Sequence, residues 1–544
     1  MLLRKDWTDG IDGIDGIDKE VDMNTVVVKA NIVVFIASFC TLVIELVAGR
    51  IMAPYVGVSL YTWTSIIGVV LAGISIGAWV GGILADRYPR PATLGWLLFL
   101  SGVGALTIAP LTDLIGAAQF QATLMLRILL LTTAIFFIPS TLLGMISPVV
   151  VKLTLDNLNR TGNIVGKIYA FSTLGSIIGT FATGFFLISW MGTRNILLTM
   201  GAILIVSAFL FGGLFLKRKA AVISAVLIAG VSVLVFTMFG YAYKPILDEK
   251  TYYYKESDYF TIKLKKYPIK NGTVEGEALI LDNLIHSIND VNDPTFLDYD
   301  YIRIYEEVLS WQMKQRSSID ALFIGGGGYT FPRYIETKYT GAQIDVVEID
   351  PEVTRVVCEY LGLPRSTTIR SFNEDGRWFV MNSKDKGRYD FIFGDAFNDL
   401  SIPYHLTTKE FAQQMKELLK PDGLLIANLI DSVTEGLFLP SYIRTLEEVF
   451  GKGNVNLLVL APELRRLGIA TCVVVASPTK MDMEDFARVI GARPGMKMTA
   501  NTIPQERLQE ILRDRSAVIL TDDYVPVDNL TAPIFEARYG YKKK

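Results

Sequence analysis

Hydrophobic positions along this chain fall into two regimes. From residue 31 to residue 243 they run almost unbroken. Seven stretches there approach the ~20 apolar residues that a bilayer crossing takes: 32–49, 61–85, 92–111, 124–151, 164–190, 196–216 and 220–243. These predict an α-helical multi-pass membrane domain of about seven helices over 31–243. Pro139 and Pro148 predict a kink or break in the fourth stretch. Gly68, Gly73, Gly77, Gly81 and Gly82 recur along the second, a spacing that lets a neighbouring helix approach closely. Ahead of this region, residues 1–30 include the repeat GIDGIDGID from Gly10 to Asp18, which buries no face and predicts a disordered tail.

Beyond residue 244 the apolar runs shorten. Residues 252–288 alternate as β-hairpins, with Asn271-Gly272 as a turn signal, and predict a small β-hairpin region over 252–300. Residues 298–314 fit a helix. Strand-like runs at 320–325, 343–349, 367–371, 389–394, 423–430, 454–460 and 470–477 then alternate with helices. That alternation predicts an α/β domain over 301–544, a mostly parallel sheet with helices on both faces. In such sheets ligands bind beyond the C-terminal strand ends, where the strand order reverses. The first strand runs into Gly325-Gly326-Gly327-Gly328, which lets the backbone approach a ligand closely. The second leads to Glu348, about 20 residues on, where an acid binds ribose hydroxyls in nucleotide-binding domains. Asp350, before Pro351, reads as a helix N-cap. Asp375, in Glu374-Asp375-Gly376 after the third strand, is either an acceptor for an adenine amino group or another N-cap. The fourth strand ends at Asp395, where a reacting group should sit, and a loop to Thr408 follows.

Composition narrows the classes. Charged residues make up 20% of the 544, below the ~25% usual for soluble domains. A net charge of −3 gives no electrostatic footing for a general nucleic-acid binder. The 3 cysteines lie far apart, which argues against a disulfide framework or a thiolate zinc site. The 2 histidines, His286 and His405, exclude a multi-histidine metal centre. Lys and Arg gather on one set of loops, and the opposite set holds only Arg50 and Arg194. That bias puts the N-terminus in the cytosol and, after seven crossings, residues 244–544 outside. Glu45 is either an intramembrane functional carboxylate or a partner of Arg50. Tyr252-Tyr253-Tyr254 fits an interfacial aromatic belt, Trp378 fits core packing, and Thr521–Tyr524 fits a solvated turn.

The segments LILDNLIH, Tyr305-x-Glu307, LFIGGGG, VVEID, EDG, YDFIFGDAFND and LKPDGLLIANL follow in order over residues 277–480. Together they resemble the spermidine synthase (polyamine aminopropyltransferase) family. The apolar segment ELVAGRIMAPYVGVSLYTWTSIIGVVLAG resembles its bacterial subgroup fused to a membrane domain. The resemblance implies a Rossmann-like, methyltransferase-type fold. It implies aminopropyl transfer from decarboxylated S-adenosylmethionine, a co-substrate, to an amine such as putrescine, releasing methylthioadenosine. No metal and no permanently bound cofactor are implied. Carried over by position, Gly325 and Gly327 belong to the donor loop, Glu348 holds the ribose, and Asp375 and Gly376 hold the adenine. His286 stands where the family has a glutamine near the nucleoside, and Pro403 borders the same site. Asp395 accepts the proton, and Tyr305, Asn398 and Asp399 face the amine. The family loop GGGDGG reads GGGGYT here, so Gly328 replaces the acid for the donor's free amine. The second loop acid falls on Asn398, with Asp399 one place later. Loss of the first acid removes repulsion against the carboxylate of intact S-adenosylmethionine, which makes methyl transfer the alternative. A non-catalytic polyamine transporter or sensor is a third reading. The implied partners are a small polyamine or other amine, the lipid bilayer and, as a homodimer, a second copy, with no nucleic acid. The implied location is the cell (inner) membrane, and the donor chemistry puts the soluble domain in the cytosol, against the Lys/Arg bias.

Overall fold

The computed structural model describes residues 18–116, 118, 122–155, 161–212, 247–314, 316–397, 400, 402–433, 435–460, 469–494, 497–515 and 517–539. The chain divides into two compact units, Met1–Leu247 and Asp248–Lys544.

Among the described residues of the first unit, six helices are long and apolar enough to cross a membrane: Thr25–Val56, Leu60–Arg87, Pro91–Ile115, Leu124–Thr154, Thr161–Met191 and Thr193–Phe211. The seventh expected stretch, 220–243, lies outside the described residues. The first helix starts at Asp18, so residues 18–30 are helical rather than the coil expected. No glycine or proline stands between Lys19 and Val47 to interrupt a helix begun there. The fourth span breaks at Met145, into Leu124–Gly144 and Ile146–Thr154. Close packing governs the second span: a Cβ on Gly77 would overlap the Thr141 carbonyl oxygen, whereas Gly68 and Gly82 face open space. Arg194 meets Asp113 with two hydrogen bonds of 2.6 and 2.8 Å, and the Tyr55 hydroxyl donates to the same carboxylate at 3.0 Å. Glu45 is half-buried in the first helix.

The second unit opens with an antiparallel sheet in the order β1 (Thr251–Glu256), β2 (Thr261–Ile269), β3 (Val274–Leu281), β4 (Leu284–Asn289). Tyr252-Tyr253-Tyr254 lies in β1, where the Tyr252 hydroxyl donates to Glu277 at 2.6 Å and Tyr253 to Glu352 at 2.7 Å. These bonds tie β1 to β3 and to the helix Pro351–Tyr360. Eight further strands form the main sheet: β5 (Asp320–Ile324), β6 (Gln343–Val347), β7 (Arg370–Phe372), β8 (Tyr389–Gly394), β9 (Leu419–Asp431), β10 (Val455–Leu460), β11 (Ala470–Ala476) and β12 (Ala500–Thr502). Their order is β12-β10-β11-β9-β8-β5-β6-β7. The run from β9 to β7 is parallel, and β10, β11 and β12 are antiparallel.

The central strands are apolar on both faces, as parallel strands between helix layers must be. Leu322, Ile324 and Ile392 pack with Phe411, Met415, Leu439 and Leu446 on one side. Ala321, Phe323, Phe391 and Phe393 pack with Tyr305, Leu309, Phe331 and Tyr334 on the other. Strand order reverses between β5 and β8, whose C-terminal ends carry Gly325 and Asp395.

Candidate active site

A cavity of about 160 Å³ opens at this reversal point. Its wall brings together His286, Tyr305, Gly325, Gly327 and Asp395 from the residues expected by sequence. Ser287 and Tyr301 join them with no motif to announce them, and Asn428 joins from within the LKPDGLLIANL segment, which does not single it out.

Asp395 is placed by the sheet. Its N–H donates to the Ile324 carbonyl at 2.9 Å, extending the β5–β8 pairing one residue past the strand. Asn428, on β9, donates through Nδ2 to Asp395 Oδ1 at 2.9 Å. The Tyr301 hydroxyl bonds the same carboxyl group. Burial pushes the Asp395 carboxyl up to about 6, against the opposing pull of these two bonds. Tyr301 and Tyr305 lie one turn apart on the helix Asp300–Gln312, with rings edge to face at 5.5 Å. Tyr305 is 1% exposed and also packs on Phe393, 5.2 Å between centroids. Burial beside Asp395 raises its phenol well above the ordinary value, and its hydroxyl has no partner among the described residues. His286 is pushed down to about 4 by burial, so it is neutral at pH 7 and adds no cation to the cavity.

The glycine loop is fixed from behind. Glu348 Oε2 accepts the N–H groups of Gly326 at 2.9 Å and Gly327 at 3.2 Å, and Oε1 accepts that of Asp350 at 3.0 Å. Burial raises the Glu348 carboxyl while these N–H groups pull it down. Gly325 has a φ of +95°, and a Cβ there would stand 2.6 Å from the Asp395 carbonyl oxygen. Asp350 caps the helix Pro351–Tyr360 through the Glu352 N–H. Asp375 caps the helix Gly376–Asn382, accepting from Arg377 and Trp378, and its Oδ2 lies 3.0 Å from His405 Nε2. Gly376 packs against Ile324, and the Pro403 carbonyl accepts from Leu406 at 2.9 Å. Glu348, Asp375, Gly376 and Pro403 thus surround the loop and strand ends without lining the cavity. Asn398 and Asp399 lie outside the described residues. Trp378 is 59% exposed rather than in the core, because it sits on the outer face of a two-turn helix. In the turn Thr521–Tyr524, Asp522 pairs with Arg377.

Position 328 is closed to side chains. A Cβ there would overlap Ser287 Oγ and stand 2.5 Å from Ser287 Cβ. The loop is held in place at that point, because Asn289 Nδ2 donates to the Gly328 carbonyl at 2.7 Å while Thr330 donates to Asn289 Oδ1 at 2.5 Å. Gly328→Ala is therefore expected to lower stability by roughly 1–3 kcal/mol. Chemical denaturation of the variant checks this, and an unchanged midpoint would show that β4 yields.

Residues 304–475 match the family model of the spermine/spermidine synthase domain. The polyamine aminopropyltransferase of Vibrio vulnificus (strain CMCP6) is 30% identical over 211 residues, 38% of this chain and 69% of that one. The probable polyamine aminopropyl transferase of Bifidobacterium longum (strain NCC 2705) is 25% identical over 325 residues, 58% of this chain and 69% of that one. The crystal structure of a probable spermidine synthase from Corynebacterium glutamicum ATCC 13032 aligns with a TM-score of 0.44 at 23% identity, covering 51% of this chain and 97% of that one. The second unit joins a small antiparallel sheet to an eight-stranded α/β domain. The chain belongs to the spermidine synthase (polyamine aminopropyltransferase) family.

Proposed function

We propose that this protein transfers the aminopropyl group of decarboxylated S-adenosylmethionine to a small amine such as putrescine, releasing methylthioadenosine. The observation that carries the reading is Asp395, a half-buried carboxylate at the strand-order reversal, aimed into a cavity with tyrosine and asparagine partners. An alkyl ammonium has a pKa near ~10.4 and is no nucleophile until it loses a proton. Asp395 orients the ammonium and accepts that proton. The nitrogen lone pair then forms the new N–C bond, the C–S bond breaks, and the sulfonium sulfur keeps its electron pair. In this reading Glu348 holds the ribose and the backbone at Gly325 and Gly327 lies against the donor, while Asp375, Gly376, His286 and Pro403 border the nucleoside. Tyr305, Asn398 and Asp399 face the acceptor amine. The six apolar helices hold the chain in the cell membrane.

Methyl transfer from intact S-adenosylmethionine is the second reading, favoured by one observation: no acid can project from position 328. The test is the full chain in detergent micelles, supplied with either donor and putrescine, with products read by mass spectrometry. Equal amounts of methylthioadenosine and a lengthened amine are expected. A methylated amine with S-adenosylhomocysteine would establish the second reading. Turnover with neither donor would overturn both.

A further inference from the structure

The cavity has two polar poles, one at each end of the glycine loop. At the Gly325 end stands Asp395, with Tyr301, Tyr305 and Asn428. At the Gly328 end stands Ser287, in the volume that a side chain at 328 would need. Ser287 is 2% exposed and lines the cavity, and its hydroxyl has no hydrogen-bond partner among the described residues. A buried hydroxyl left unpaired lowers stability, so alanine would serve β4 better. Asp395 is the only carboxylate in the described lining. The Gly328 pole is therefore neutral.

We propose that Ser287 is a donor-binding residue, with its hydroxyl meeting the polar end of the chain that the sulfonium carries. This rests on the sulfonium-donor reading above. An acid at the position of Glu348 marks the ribose side of such a loop. The Asp395 pole takes the amine that loses its proton. The pole that remains, at the last glycine, faces the donor's chain. A hydroxyl both donates and accepts, so it bonds an ammonium or a carboxylate alike. This wall reads hydrogen-bonding capacity rather than charge, and it admits an adenosyl sulfonium with or without an α-carboxylate.

The test measures dissociation constants of the full chain in detergent for decarboxylated S-adenosylmethionine, intact S-adenosylmethionine and methylthioadenosine, which lacks the chain. The two donors are expected to bind the wild type within about tenfold of each other. Ser287→Ala should weaken both donors by about 3–20-fold, the loss of one hydrogen bond, and leave methylthioadenosine and Tm unchanged or Tm raised. Ser287→Asp should widen the preference for the decarboxylated donor at least about tenfold, as an added charge repels the carboxylate. Donor affinities unmoved by Ser287→Ala, or a matching loss for methylthioadenosine, would overturn the assignment of Ser287 alone. Failure of the wild type to bind any of the three would overturn the sulfonium-donor reading and Ser287 with it.

Discussion

Asp395→Asn is expected to lower kcat by about 10²–10⁴-fold, the usual contribution of a positioned general base, while donor affinity stays within a few-fold. The amide keeps the shape of the side chain and its bond from Asn428 but cannot take a proton. The wild-type pH profile should carry the same signature. With the Asp395 carboxyl pushed up to about 6 by burial, its base form fills only as the pH rises through that value, so kcat/KM climbs between about pH 5 and 7. Stability runs the other way. Because the folded pKa lies above the unfolded one, this group's contribution is fully present below the unfolded value and is lost as pH rises through about 6. Asp431 is also raised to about 6 by burial, but its carboxylate accepts the N–H groups of Ser432 and Leu439, so its titration belongs to stability. Loss of the acid limb in the residual activity of Asp395→Asn would tie that limb to Asp395. A variant with full turnover would refute the base assignment.

The fold was legible where one element alone sets its own pattern. β5 and β8 are buried on both faces, so they stand out as short apolar runs, and glycine and aspartate at their ends mark the reversal point. Strand direction was harder, because it belongs to the connection. Only residues 461–469 separate β10 from β11, fewer than the dozen or more that a parallel crossover needs. That spacing held the antiparallel answer, although the runs themselves read like the others. β12, with 3 residues, is too short to show a pattern. The site divides in the same way. Gly325, Gly327 and Asp395 were legible because they follow strands. Ser287 was not, because what makes it notable is the missing side chain at Gly328, brought against it only by packing. Tyr301 gains its meaning from Asp395 only through the packing of its helix, and Asn428, though inside the LKPDGLLIANL segment, only because β9 pairs beside β8.

Glu348→Ala should have the second large effect, on binding and stability together. The carboxylate accepts three backbone N–H groups, and truncation would leave those of Gly326, Gly327 and Asp350 without their acceptor. Each such loss costs about 1–3 kcal/mol where water cannot replace the partner. A lower Tm is expected on loop geometry alone. If Glu348 also holds the ribose, donor affinity falls further, by about 10–100-fold for the charge-assisted bond. Glu348→Gln separates the two contributions. Its amide oxygen can still accept from one or two of the N–H groups, while its NH₂ turns a second donor toward the rest. Stability should recover in part, and methylthioadenosine binding should remain at least about tenfold weak. Calorimetry of both variants with methylthioadenosine, beside a thermal melt of each, makes the comparison. Wild-type affinity in Glu348→Gln would mean that the nucleoside is held elsewhere and that Glu348 serves the loop alone.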